Sequence, residues 1–328
     1  MDFIGATISS PDRAINYNLP LKGCVFMRYY FAPMEGLTDS IYRRLHHEYF
    51  GGVDRYYMPF LSPTQHRTLT HKEERELPAA DSVPFAAVPQ VLTRDAGDFL
   101  WAAQVMADRG YGEVNLNLGC PSGTVVSKGK GSGMLRDTEA LDRFLDDIYA
   151  KTPIKVSVKT RLGLEKPDEF PDILSVYNRY PIAELTIHPR VRKQFYDGDV
   201  DMDMFRYALQ NSKNPLCYNG DIHSKAQAEQ IGGVDAVMIG RGLVGDPGML
   251  VGGTDVGKLE AFHTALLDEY CAAFGGGRNA MFRLKENWHM LITHFDGSEK
   301  LWKRLRKTTD LAEFRSVTAE IFHTLPWK

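Results

Sequence analysis

Cysteine is scarce in this 328-residue chain, long apolar runs are missing, and the charges nearly cancel. The four cysteines, Cys24, Cys120, Cys217 and Cys271, are far apart and form no CxxC pair. That argues against a zinc site or a redox dithiol, predicts a protein without a metal, and suits a reducing, cytoplasmic setting. No run of 18 or more apolar residues occurs, so no membrane span is expected. Residues 1–26 lack a charged n-region followed by an apolar stretch and do not read as a signal peptide. The formal net charge is −3, so the chain is no polycation, and any nucleic-acid binding must come from a local patch. Neither a low-complexity tract nor a repeat beyond the βα unit is visible.

What the sequence does hold begins after Met27. From Arg28 onward, short β-rich runs alternate with amphipathic helical patterns, which argues for βα units and a parallel sheet. Eight strands are predicted, at 29–32, 55–58, 85–91, 113–118, 154–160, 184–188, 216–219 and 236–240. The clearest intervening helices are 39–49, 95–108, 138–150 and 224–231. Eight strands with helices between them is the count of a TIM (β/α)8 barrel, although strand order does not follow from one sequence and an open doubly wound sheet stays possible. After Gly257 the β pattern stops, and helices are predicted at 258–274, 281–295, 299–307 and 311–325, with Gly275-Gly276-Gly277 as a break. The expected organisation is an N-terminal extension (1–26), a barrel (27–255) and an all-helical domain (256–328).

Unusual residues gather at the C-terminal ends of the strands, the face that carries barrel active sites. Strand one ends in Ala32-Pro33-Met34-Glu35-Gly36, strand three near Gln90, and strand four in Asn115-Leu116-Asn117-Leu118-Gly119-Cys120-Pro121-Ser122. Strand five carries Lys159 and Arg161, two apart and so on one face. Strand six ends in His188-Pro189-Arg190, strand seven in Asn219-Gly220-Asp221 and strand eight in Gly240-Arg241-Gly242. The last two turns suit a phosphate bound through backbone N–H groups, with Arg241 as charge partner; plain tight βα turns explain their glycines equally well. A lysine inside a barrel is costly unless it meets an anion or a polar ring. For Lys159 a flavin's pyrimidine edge is one such partner and a buried salt bridge another.

Cys120, between Gly119 and Pro121 on a strand-end turn, reads as a nucleophile or acid at the barrel mouth; a lone cysteine is otherwise a small buried hydrophobe. The run 127–133 is not a Walker A motif, because Gly123 and Gly129 are one residue too far apart and Gly131 follows Lys130. It reads as a flexible loop offering Lys128 and Lys130 to RNA phosphates, or as a merely solvated one. The helical tail is locally basic, with Arg278, Arg283, Lys285, Lys300, Lys303, Arg304, Arg306 and Lys307 interleaved with Trp288 and Trp302. Such a run is an RNA patch or a solvated face.

Together these motifs resemble the tRNA-dihydrouridine synthase family, from about residue 28 to 248 and more weakly beyond. The most specific element is Asn115 to Ser122 with the glycine-rich 129–133. The order Ala-Pro-Met-Glu-Gly, Val-Pro-Gln, Asn-Leu-Gly-Cys-Pro, Val-Lys-Thr-Arg-Leu-Gly, His-Pro-Arg, Asn-Gly-Asp and Ile-Gly-Arg-Gly carries the rest. The resemblance implies an FMN-bearing barrel, a C-terminal tRNA-binding helical domain, and NADPH or NADH as reductant. It implies that Pro33, Met34 and Glu35 line the flavin, that Gln90 and Lys159 hold its ring, and that Asn117 faces flavin or uracil. Asn219, Gly220, Asp221, Gly240 and Arg241 would bind the ribityl phosphate with His188 near that chain. Arg161 and Arg190 would face substrate or cofactor, and Cys120 would be the catalytic acid.

Two alternatives stand beside it. One is a dihydroorotate-dehydrogenase-like FMN oxidoreductase, whose turn reads Ser-Cys-Pro-Asn where this chain has Gly119-Cys120-Pro121-Ser122. The other is a non-catalytic RNA-binding barrel, against which the presence of Cys120 and Lys159 argues. The family pattern does not need the segment before Met27, which is expected to be dispensable: a chain starting at Met27 should fold and take up flavin as the full chain does, measured by its bound-flavin absorbance. Loss of flavin on truncation would show that 1–26 packs on the barrel.

Overall fold

A computed structural model describes residues 27–328, so the expectation for 1–26 lies outside the described residues. Eight strands, β1 (Arg28–Phe31), β2 (Arg55–Leu61), β3 (Ala87–Val91), β4 (Glu113–Leu118), β5 (Lys155–Arg161), β6 (Leu185–His188), β7 (Leu216–Asn219) and β8 (Ala236–Ile239), form one sheet. Every neighbouring pair is parallel, and β8 pairs with β1 through Arg28↔Ala236 to Phe31↔Ile239, which closes the barrel and excludes an open doubly wound sheet. The largest departure from the predicted bounds is β2, which continues past Met58 to Leu61. Pro59 reads as a strand end because it donates no ladder hydrogen bond. The structure absorbs it in a register shift between Tyr57 and Phe60, after which Phe60 and Leu61 pair with Gln90 and Val91.

Side chains alternate along each strand between the lumen and the surrounding helices. Tyr30, Ala32, Tyr57, Val88, Cys217, Ala236 and Met238 pack into an inner cluster, while Phe31, Tyr56, Val237 and Ile239 belong to the outer core. The lumen is plugged at its N-terminal end. Glu184 accepts hydrogen bonds from the hydroxyls of Tyr30 (3.1 Å) and Tyr57 (3.4 Å) and lies 3.7 Å from the Arg28 guanidinium. Burial pushes its carboxyl up, opposed by Arg28 and Arg55.

The connecting helices are α1 (Ser40–Tyr49), α2 (His71–Glu76), α3 (Ala96–Asp108), α4 (Gly123–Val126), α5 (Thr138–Tyr149), α6 (Phe170–Tyr177), α7 (Met202–Asn211), α8 (Lys225–Glu229) and α9 (Arg241–Gly245). Their starts follow from side-chain caps that satisfy first-turn N–H groups. Asp39 accepts from Tyr42 N (3.0 Å), Asp95 from Asp98 N (2.8 Å), Asp137 from Ala140 N (2.9 Å) and Asp201 from Met204 N (2.8 Å). In α5 the buried residues are Leu141, Phe144, Leu145 and Ile148, the i, i+3, i+4, i+7 stripe of a helix lying on a sheet.

Four further helices, α10 (Val256–Ala273), α11 (Gly277–Leu291), α12 (Glu299–Lys307) and α13 (Leu311–Thr324), follow the barrel. They pack on its C-terminal face beside α1 and α9. One contact there is polar and buried: Asp39, besides capping α1, pairs with Arg283 of α11 (3.0 Å) and accepts from the Tyr270 hydroxyl of α10 (3.0 Å). Trp288 is fully buried among these helices and donates its indole N–H to His263 Nε2 at 3.0 Å, so it is a core residue and not part of a basic surface. Burial holds the His263 imidazolium down to about 3, so the ring is neutral and its Nε2 can accept.

Trp288→Ala should therefore destabilise the protein by about 3–5 kcal/mol. Trp288→Phe, which keeps most of the volume but strips His263 of its donor, should cost about 1–3 kcal/mol. Denaturant unfolding measures both, and losses below 1 kcal/mol for each would show that this contact is not central to the helical core.

Candidate functional site

A cavity of about 1930 Å³ opens at the C-terminal ends of the strands and continues under the helical region. It is lined by thirteen of the residues singled out from the sequence: Pro33, Met34 and Glu35 after β1, Asn117 and Cys120 after β4, Lys159 and Arg161 on β5, His188 on β6, Asn219, Gly220 and Asp221 after β7, and Gly240 and Arg241 after β8. Strand register makes neighbours of residues remote in sequence, pairing Asn117 with Lys159, Arg161 with His188 and Asn219 with Met238.

Gln90 and Arg190 do not line this cavity, and both are buried. Gln90 sits inside a hydrogen-bond ladder that supports the cavity wall. Asn117 Oδ1 accepts from the backbone N–H of Gly119 (3.1 Å) and Cys120 (2.9 Å). Those two N–H groups can only donate, so the Asn117 amide must present its oxygen to them and its nitrogen away. Asn117 Nδ2 then donates to Gln90 Oε1 (2.8 Å), Gln90 Nε2 to Asn115 Oδ1 (2.8 Å), and Asn115 Nδ2 to Ser157 Oγ (2.9 Å). One N–H of Asn117 remains, and its oxygen is fully used. Arg190 lies beneath the cavity floor, where its guanidinium bonds both carboxylate oxygens of Asp221, the Gly198 carbonyl and His188 Nε2 (3.1 Å).

The Cys120 turn is braced from behind. Ser132 donates its backbone N–H (3.2 Å) and its hydroxyl (2.8 Å) to the Cys120 carbonyl. Gly131 has φ +57, and a Cβ there would come within 3.0 Å of Cys120 Cβ and of its carbonyl oxygen. The segment expected to be a flexible lysine loop (127–133) is thus a turn after α4 that leads into a 3-10 turn (Gly131–Arg136), shaped by glycine to fit behind the cysteine. Lys130 is tied to Ser62 Oγ (3.1 Å), which leaves Lys128 exposed.

The electrostatics of the wall are uneven. Lys159 donates to Asn219 Oδ1 (2.7 Å), and Asn219 Nδ2 is held by the Met238 carbonyl (2.7 Å). Protein surrounds Lys159 except where the cavity reaches it. Burial, with the Arg161 charge two residues away, brings its ammonium down to about 7. Arg161 reaches back to the carbonyls of Gly119 (3.0 Å) and Val191 (3.1 Å), and burial lowers it to about 10. His188 is held well below the usual imidazole range by burial and by Arg161, Lys159, Arg190 and Arg241. Burial alone would raise Asp221, but its hydrogen bond to Arg190 and the charges of Arg190 and Arg241 (2.8 Å) keep it below the usual carboxylate range. Burial pushes the Cys120 thiol up, offset in part by the Ser122 N–H, Arg161 and Lys159, so the thiol is neutral at pH 7.

Sequence reasoning missed Tyr196, which stands 52% exposed at the cavity mouth. Its ring stacks on His188 (6.1 Å, 30°) and lies under the guanidinium groups of Arg241 (4.8 Å) and Arg161 (5.4 Å). Two adjacent aromatics in the polar stretch Arg192-Lys193-Gln194-Phe195-Tyr196-Asp197 were the available signal. The basic tail is also thinner than its sequence count. Lys285 is buried on the carbonyls of Arg306 (3.2 Å) and Thr308, Arg283 pairs with Asp39, and Arg304 pairs with Glu320 (2.7 Å). Lys300, Lys303, Arg306, Lys307 and Arg278 remain exposed. No group of His, Cys, Asp and Glu among the described residues is arranged to hold a metal.

The lowered Lys159 fixes the sign of a pH effect. In the folded chain this lysine sheds its proton above about 7, whereas the unfolded chain keeps it to about 10.4, so the cost of burying its charge is full below pH 7 and fades as pH rises. Lys159→Met should stabilise the protein without added ligand at pH 6–7 by on the order of 1–3 kcal/mol, and the gain should shrink toward pH 9. Paired unfolding curves measure it; a gain independent of pH would mean the lysine stays charged throughout.

The family model described as dihydrouridine synthase matches residues 30–318. A probable tRNA-dihydrouridine synthase of Rhizobium leguminosarum bv. phaseoli is 28% identical over 310 residues, covering 91% of this chain and 95% of the relative. The tRNA-dihydrouridine synthase B of Proteus vulgaris is 32% identical over 232 residues, covering 69% of each. Among solved structures, a morphinone reductase superposes on 68% of this chain and 85% of its own with a TM-score of 0.47 at 11% identity. With its family model spanning nearly the whole described chain, this protein belongs to the dihydrouridine synthase family.

Proposed function

We propose that the protein reduces the C5–C6 double bond of uridines in tRNA to dihydrouridine, with FMN as cofactor, NADPH or NADH as reductant and Cys120 as proton donor. Family membership sets aside the dihydroorotate-dehydrogenase-like and non-catalytic readings. The observation that carries the proposal is the juxtaposition of the Cys120 thiol with a wall of donors that keep unspent N–H groups.

That wall suits a flavin. Lys159 has three N–H donors and spends one on Asn219, and Asn117 keeps one N–H. An acceptor-rich ring edge answers both, and the pyrimidine edge of a flavin becomes anionic on reduction. The turns after β7 and β8 bring backbone close together, since a Cβ on Gly242 would lie 2.1 Å from the Ile222 carbonyl oxygen. A Cβ on Gly240 would lie 3.3 Å from Met34 Sδ. Asn219, Gly220, Asp221, Gly240 and Arg241 would hold the ribityl phosphate there, with His188 beside the chain and Pro33, Met34 and Glu35 along the ring. Gln90 would act through Asn117, and Arg190 through Asp221. Bound and reduced, FMN supplies the hydride.

The residues of the chain do the rest. Target uridines within folded tRNA must leave their stack to enter this cavity. Arg161 in the cavity wall and Tyr196 at the mouth would receive the base. Saturating the double bond needs a proton at the second carbon, and Cys120 Sγ–H gives it, leaving a thiolate that the nearby charges of Lys159 and Arg161 favour. Solvent then restores the thiol. The basic residues of α12 that remain exposed would meet RNA phosphates, in a cytoplasmic setting. No helix among the described residues is long and apolar enough to cross a membrane.

Cys120→Ala should keep the parent's FMN content and its rate of flavin reduction by the nicotinamide, while slowing dihydrouridine formation by about 10²-fold or more, the usual contribution of a general acid. Cys120→Ser should recover little, because a hydroxyl is a far weaker acid. Single-turnover mass spectrometry of the tRNA decides it: dihydrouridine made at the parent rate by the alanine variant would make the cysteine structural.

A further inference from the structure

The cavity, about 1930 Å³, reaches beyond the strand ends where the proposed flavin and target base would lie, and α11 and α12 line its far part. One stripe of each helix faces it: Glu286, His289 and Met290 of α11, and Glu299, Trp302 and Arg306 of α12, at helical spacings of three, four and seven. At the centre the His289 ring meets Trp302 edge-on, with centroids 4.8 Å apart at 84°, and the Arg306 guanidinium lies 5.4 Å from the Trp302 ring centre. Trp302 is half-buried on the cavity wall, unlike the enclosed Trp288. Glu286 and Glu299 stand one turn from this ring pair, are exposed, and have no ion pair or side-chain hydrogen bond among the described residues.

An aromatic ring braced edge-on and flanked by a cation is a platform on which a flat base stacks. Two free carboxylates beside it repel phosphate and can accept only from donors, which the amino-bearing edges of guanine, adenine and cytosine supply. Resting on the reading that the substrate is tRNA, we propose that this wall is a second nucleobase subsite. It takes an unpaired, amino-bearing base near the target uridine in the same RNA, stacked on Trp302 and read by Glu286 and Glu299. The site would hold the RNA by two bases, the target at the strand ends and an anchor between the helices, and would thereby select which uridine enters.

The test uses the full-length holoenzyme and substrate tRNA transcripts in which nucleotides flanking the target uridine are made abasic one at a time. Base stacking of about 1–3 kcal/mol corresponds to a 5- to 150-fold rise in Kd. One abasic position should show that rise with the parent enzyme, and Trp302→Leu should show it with intact tRNA. Combining the two should add little more, while Trp302→Phe should bind near the parent level. Replacing that base by uracil should weaken binding to the parent by several-fold but be indifferent to Glu286→Gln/Glu299→Gln. FMN content and circular dichroism establish that each variant is folded. An unchanged Kd for Trp302→Leu, or losses that simply multiply with every abasic site, would overturn the subsite. Absence of dihydrouridine with the parent enzyme would instead overturn the proposed function, so the two failures are distinguishable.

Discussion

The site depends on the direction of one amide. Because the N–H groups of Gly119 and Cys120 both need an acceptor, Asn117 has to turn its oxygen to them, and every donor and acceptor in the ladder behind it is then set. Asn117, Gln90, Asn115 and Ser157 belong to three strands, so the ladder crosses the barrel wall and carries the positions of β3 and β5 to the cysteine turn. Such a chain of buried amides is strained by any member that flips, since a reversed amide would face donor to donor. The thiol is therefore presented by a backbone that side chains from inside the barrel hold in one conformation.

The rest of the cavity is organised by the cost of cationic groups in a confined space. Burial, and then the charges of Arg161, Lys159, Arg190 and Arg241, hold His188 down, and the outcome is a neutral imidazole among positive charges. One carboxylate, Asp221, answers two of the arginines from a backbone conformation with φ +43. Lys159 and Arg161 are left with only neutral hydrogen-bond acceptors. The wall thus keeps cationic donors in a confined space, and under the proposed function an acceptor-rich ligand would relieve their cost.

The sequence made the barrel legible because strand alternation and aspartate caps are local signals, repeated for each βα unit. The strand-end residues were legible for a related reason: a polar residue at the end of an apolar strand has no structural motive of its own. What was not legible was which side of the wall each residue would face. Gln90 and Arg190 carry the same chemical types as their cavity-facing neighbours, and only the register of adjacent strands places them in the ladder or beneath Asp221. The lysine loop misled because glycine next to lysine suggests mobility, whereas Gly131 is there to let backbone pass behind Cys120. Trp288 and Trp302 differ by helical phase within a region whose packing partners are remote in sequence, and only the fold separates a core ring from one on the cavity wall.

Asp39 has a consequence for how the molecule can be recombined. Its carboxylate caps α1, takes the Arg283 guanidinium and accepts the Tyr270 hydroxyl, so the turn that follows Pro33, Met34 and Glu35 shares an anchor with the helical region. A helical module grafted from a relative onto this barrel would inherit an obligation to that carboxylate. Without a cation and a hydroxyl at the positions of Arg283 and Tyr270, the graft would leave that carboxylate buried without a counter-charge at the edge of the cavity. The seam between the two halves of the molecule is thus chemical as well as spatial, and exchange across it is constrained by a single side chain that sequence position assigns to the barrel alone.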